Sequence, residues 1–173
     1  MPAQPARRKR LIDLYIDCVV LSSFRSEFTF LRNVFSLTGI RMHHAESLGQ
    51  TDLLLTVSDS TVLLVDVVFA DGTWERALSL LRERHPLVTA LVVADPADRP
   101  FLNDLFGRGA CGVIWKPFDF DATRRAIRTV HEASRERRAL QDENLPLQGF
   151  SGGRSWIARI TEIRTLRTRE TDV

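Results

Sequence analysis

Four short apolar runs constrain this chain more than any other feature: "DCVVLS" at 17–22, "TVLLVD" at 61–66, "TALVVAD" at 89–95 and "CGVIWK" at 111–116. A strand with one wet face alternates polar and apolar residues. A continuous run belongs to a strand covered on both faces. Between the runs lie stretches with a helical period. "SEFTFLRNVFSL" (26–37) puts Phe30, Val34 and Leu37 on one stripe, with Ser26 placed to cap the helix and Gly39 to stop it. "IRMHHA" (40–45) is a weaker, half-polar strand suited to an edge, and "LGQTDLLLTVSDS" (48–60) reads as a further helix. "TWERALSLLRERH" (73–85) is amphipathic, with Thr73 able to cap it and Pro86 closing it. "ADRPFLNDLFGRG" (97–109) reads as a helix with Pro100 in its first turn and Gly109 at its end. "DATRRAIRTVHEASRERRALQ" (121–141) is a long Arg-rich helix with Ala126, Val130 and Ala133 on one stripe.

Five β–α units in succession imply a five-stranded parallel sheet with helices on both faces, an α/β doubly wound fold. In such sheets the functional crevice lies beyond the carboxyl ends of the strands. The residues that arrive there are Ser22 and Ser23, then Asp66, then Ala94 and Asp95, and finally Lys116. Lys116 stands out by composition. The chain has 24 Lys plus Arg, of which only Lys9 and Lys116 are lysines. A compact ammonium on a thin stem enters a narrow site that a planar guanidinium does not.

The stretches "VLLVD" ending in Asp66, "LVVADPAD" after the third helix, and "GACGVIWKPFD" at 109–119 resemble the receiver domain of two-component response regulators. The resemblance covers roughly residues 16 to 138. It implies a flavodoxin-like (βα)5 fold with strand order 2-1-3-4-5. It implies that Asp66 accepts a phosphoryl group from a histidine kinase, that Lys116 contacts the carboxylate and then the phosphate, and that Pro117 aims Lys116 through a cis bond. Physical chemistry agrees: a carboxylate forms an acyl phosphate if the incoming charge is neutralised.

The departures from that pattern are as informative. Receivers place two acidic residues after the first strand to hold Mg²⁺; here those positions read Ser22 and Ser23. Weak Mg²⁺ binding is therefore expected, with Glu27, one turn into the next helix, a candidate to reach in. The Ser or Thr that bonds the phosphate is replaced by Ala94, which cannot donate. The aromatic switch position falls at Val113, and Trp115, two residues on and on the same face, is its candidate substitute. The chain reads as an atypical receiver that acts by protein–protein contact. The alternative is a phosphorylation-independent pseudo-receiver, a dimerisation or interaction module in which Asp66 and Lys116 are a residual ion pair.

Other function classes find little support. No Walker motif, Gly-rich phosphate loop, metal-ligand cluster or Ser–His–Asp arrangement is evident, so an enzyme is not expected. His43 and His44 are adjacent and point to opposite faces, and His85 and His131 read as surface residues. Cys18 and Cys111 border apolar runs and suit reduced thiols in a cytoplasmic protein. No apolar stretch reaches the ~18 residues of a membrane span. Residues 1–15, with "RRKR" at 7–10, read as a basic arm before a domain at 16–141. Residues 142–173 read as a linker and an amphipathic segment with Trp156, Ile160, Ile163 and Leu166 at helical spacing, too short for a DNA-binding domain. The arginines of the last helix suit an acidic partner or a second copy, with a homodimer expected through the fourth and fifth strand–helix units.

Overall fold

A computed structural model describes residues 15–142. The basic arm, the linker and the amphipathic segment expected at the two ends lie outside the described residues, apart from Tyr15 and Asp142. Five parallel strands form one sheet: β1 (Ile16–Leu21), β2 (Ile40–Ala45), β3 (Val62–Asp66), β6 (Thr89–Ala94) and β7 (Gly112–Trp115). Their order is β2-β1-β3-β6-β7. With the two-residue strands β4 (Val68–Phe69) and β5 (Gly72–Thr73) set aside as a separate small hairpin, this is the expected 2-1-3-4-5 order.

The apolar runs are buried as their composition demands. Val62, Leu63, Leu64 and Val65 are fully buried, because successive residues serve opposite layers. One layer holds Leu63 and Val65 with Leu55 of α2 (Leu48–Val57) and with Trp74, Ala77, Leu78 and Leu81 of α3 (Trp74–Arg84). The other holds Val62 and Leu64 with Phe28, Leu31 and Phe35 of α1 (Arg25–Phe35) and with Ile127 and Val130 of α4 (Phe120–Asp142). Cys18 and Cys111 are buried free thiols, each pushed up to about 12 first by desolvation.

Several local expectations give way to packing. The buried face of α1 is Phe28, Leu31 and Phe35, whereas Phe30 and Leu37 are exposed and Ser26 lies inside the helix. On α4 the buried positions are Thr123, Ile127, Val130 and Ser134; Val130 is as expected, whereas Ile127 and Ser134 take the places expected of Ala126 and Ala133, which are half-buried. Thr73 sits at the N-cap of α3, but its hydroxyl bonds Glu75 rather than a helix N–H. The fourth unit has no α-helix: Pro96–Phe101 is a 3₁₀ segment, followed by turns up to Gly109. Pro100 has no N–H and clashes with the carbonyl four residues back, so an α-helix cannot pass through it. Asp95 and Asp98 cap each other's backbone instead, and Asp104 (φ 55°) and Gly109 (φ 102°) turn the chain. His85 and His131 are half-buried and partnered rather than free at the surface: the first bonds Asp52 Oδ1 at 2.8 Å, the second Thr61 Oγ1 at 2.6 Å.

Candidate functional site

Asp66 ends the central strand β3, between β1 and β6, so its side chain stands at the middle of the carboxyl rim. It is 6% exposed. Lys116 arrives from the edge. Its N–H donates to Ala94 O at 2.9 Å, and the Lys116–Pro117 bond is cis. The ammonium then turns inward across the rim, with Nζ 3.7 Å from Asp66 Oδ1. Its nearer partner is Glu27, whose Oε2 accepts from Nζ at 2.6 Å. Glu27 lies in the first turn of α1, where the helix dipole favours a carboxylate. Phe24 covers the assembly, its ring centroid 5.6 Å from Nζ. Asp66 and Lys116 thus meet within ion-pair range but beyond hydrogen-bond reach, and Glu27 holds the ammonium.

The electrostatics follow from this sharing. Burial raises the Asp66 carboxyl above its ordinary value; the Ser22 hydroxyl and the Lys116 ammonium pull it back, and Glu27 pushes it up again. Lys116 does favour the ionised form of Asp66, but desolvation outweighs the nearby cation and the net shift is upward. Burial also disfavours the charged Lys116, but the Glu27 bond and the carboxylates of Asp66, Glu27 and Asp95 more than offset it, so its value rises. The second carboxylate oxygen, Asp66 Oδ2, is buried without a hydrogen-bond partner. It lies beside a cavity of about 10 Å³ lined by Ser22, Glu27, Phe28 and Phe118 among others. That is roughly the room of one water.

The Mg²⁺ that the receiver resemblance implies does not fit these side chains. Ser22 Oγ accepts from the Phe24 N–H at 3.0 Å, and Ser23 is exposed. The carboxylates on the cavity are Asp66 and Glu27, and the ammonium of Lys116 already bridges them. Among the described residues no group of three or more His, Cys, Asp or Glu is placed to hold a metal ion. Lys116 is the cation that the two carboxylates share.

The remaining candidate positions lie on the neighbouring strands β6 and β7. Ala94 is buried at the end of β6 and offers no donor. Val113 and Trp115 are half-buried against the α2/α3 layer, and Trp115 carries the Arg99 guanidinium 5.2 Å from its ring. Trp115 is therefore engaged on the side away from Asp66's cavity. Glu27 is the residue that sequence reasoning placed only at the margin. Its signal was an acidic residue one turn after the serines that replace the usual acidic pair.

No protein-family model matches the chain, and no curated protein matches it in sequence. Solved structures do match its fold. The signal receiver domain of an HD domain-containing protein from Pseudomonas fluorescens Pf-5 aligns over 73% of this chain and 93% of that one, at 16% identity and a TM-score of 0.65. The receiver domain of Francisella response regulator 1452 aligns over 69% and 98%, at 14% identity and a TM-score of 0.61. The chain has the receiver fold. NtrX from Brucella abortus, of which this chain spans only 33%, aligns with 90% of it at 17% identity and a TM-score of 0.68. Identities this low speak for the receiver fold alone, so chemistry rests on the rim itself.

Proposed function

We propose that this receiver-fold chain is a signalling protein that works through protein–protein contact without phosphorylation of Asp66. The observation that carries this reading is the Lys116–Glu27 bond at 2.6 Å beside an Asp66 whose free oxygen is buried. Phosphoryl transfer needs an accessible carboxylate oxygen and cations aimed at the developing charge. Here the cation is held by another carboxylate, no second acidic residue follows Ser22 and Ser23, and Ala94 has no hydroxyl for a phosphate. The partner is a histidine kinase or another signalling protein, and the arginines of α4 favour an acidic contact surface. In this reading the chain is not an enzyme.

A second reading keeps Asp66 as an acyl-phosphate acceptor, with Glu27 as the lone acidic partner. It is favoured by the unpartnered Asp66 Oδ2 on the small cavity that Glu27 also lines. Incubation with acetyl phosphate and Mg²⁺, read by intact mass, separates the two. The first reading expects unmodified protein. A phosphoryl adduct that disappears in Asp66→Asn would establish the second.

A further inference from the structure

Beside its buried face, helix α1 carries a second apolar stripe that is only partly covered. Phe28, Leu31 and Phe35 are buried in the sheet layer. Phe30, Val34 and Leu37 recur at i, i+4 and i+7 on the other side. Phe30 is 56% and Leu37 97% exposed, while Val34 is half-buried. A single exposed apolar side chain is ordinary, but Phe30 and Leu37, joined at helical spacing by the uncovered part of Val34, form a stripe suited to another helix. The stripe borders α4 on the same side of the sheet. Phe120 of α4 stacks on Phe35 with centroids 5.0 Å apart, and Arg128 donates to Thr38 O at 2.9 Å just beyond Leu37.

The sequence also contains a segment with the matching period. Trp156, Ile160 and Ile163 repeat the i, i+4, i+7 spacing outside the described residues, and Leu166 extends it. Helix α4 ends at Asp142 on the α1 side of the sheet. From the level of Arg128 to Asp142 the helix runs about 21 Å at 1.5 Å per residue. The connection 143–155 spans up to about 43 Å when extended, and it contains Pro146, Gly149, Gly152 and Gly153, residues that suit a reversal of direction. The segment can therefore return along α4 to α1. Helix α2 also exposes Leu53 and Val57, but it lies on the opposite face, so the same connection would have to pass round the sheet.

We propose that residues 156–166 dock in cis, as an amphipathic helix, on the stripe formed by Phe30 and Val34 of α1 and Leu37 in the turn that follows it. Tethering gives the segment a local concentration in the millimolar range, so a modest apolar contact suffices to hold it. The proposal is independent of the state of Asp66. Its location does give it a consequence: α1 also carries Glu27, so a partner that strips the segment away would act on the helix that holds Lys116.

The test is disulfide trapping in the full-length chain carrying Leu37→Cys and Ile163→Cys. Leu37 is almost fully exposed, so its replacement does not threaten the fold. Cys18 and Cys111, buried and pushed up to about 12, stay silent under mild oxidation. The expected result is an intramolecular bridge forming at least about tenfold faster than in a control pair, Val57→Cys with Ile163→Cys, as an effective-concentration difference requires. A bridge between two chains would overturn the proposal and assign the stripe to a second copy. Trapping no faster than in the control would overturn it as well. As a cysteine-free check, hydrogen exchange at 156–166 should be about tenfold faster in Phe30→Asp than in the parent chain; equal rates would contradict docking.

Discussion

The two ends of the parallel sheet treat their polar groups in opposite ways. At the amino end, Thr61 Oγ1 meets His131 Nδ1 at 2.6 Å and Thr89 Oγ1 meets Ser134 Oγ at 2.8 Å. Ser134 also donates to Thr61 O at 3.3 Å, and Arg137 donates to both Thr89 Oγ1 and Ser134 Oγ. Every buried hydroxyl there has a partner, and the network pins the middle of α4 beneath β3 and β6. At the carboxyl end Asp66 keeps an unpartnered oxygen, and one ammonium serves two carboxylates. A satisfied buried network supports a fold, whereas an unsatisfied buried charge detracts from it. The amino end is therefore part of what makes the structure stable. The carboxyl end, with its unpartnered buried carboxylate oxygen, detracts from that stability.

The largest expected effect that sharpens this contrast is Lys116→Met. It removes the ammonium and strands a buried carboxylate beside Glu27, at about 2–4 kcal/mol by analogy with broken buried pairs. Urea denaturation at neutral pH should show that loss, and adding Asp66→Asn should recover most of it. Ser134→Ala at the amino end should cost about 1–3 kcal/mol, because Thr89 and Arg137 each lose a partner. Asp66→Asn alone should act in the opposite direction and stabilise by up to about 1 kcal/mol, since it removes a desolvated charge. A destabilised Asp66→Asn would break the comparison.

The smallest effect is in the pH dependence, where the two ends should again oppose each other. Burial raises Asp66, so the folded state binds that proton more tightly than the unfolded state. Its contribution to stability is greatest in acid and is lost as pH rises from the ordinary carboxyl value of 3.8 through the raised one. His131 is lowered, first by burial and then by Arg135 and Arg138, with Asp17 acting the other way. Its contribution is present above the ordinary imidazole value of 6.5 and is lost as pH falls from there through the lowered value. His131→Asn should flatten the stability profile below pH 6.5, and Asp66→Asn should flatten its acid limb.

The same division explains what the sequence could reveal. The strands were legible because a run such as "TVLLVD" has no wet face, and both layers use it. Asp66, Lys116 and Pro117 were legible because strand ends converge on one rim whatever the helices do. Helix phase was not, since α1 has two apolar stripes of similar strength and periodicity cannot say which one meets the sheet. The fourth helix failed because Pro100 outweighs the apolar residues around it. The role of Glu27 was hidden for a different reason. Eighty-nine residues separate it from Lys116, and only the three-dimensional reach of two long side chains brings them together.

Glu27, rather than Asp66, fixes the ammonium of Lys116. With two lysines in the chain, selective ¹⁵N-lysine labelling yields two ammonium signals, and Lys116→Met identifies the one from the site. That signal should be strongly displaced or exchange-broadened in Glu27→Gln and change distinctly less in Asp66→Asn. A Lys116 ammonium indifferent to Glu27→Gln but shifted strongly by Asp66→Asn would contradict the pairing with Glu27.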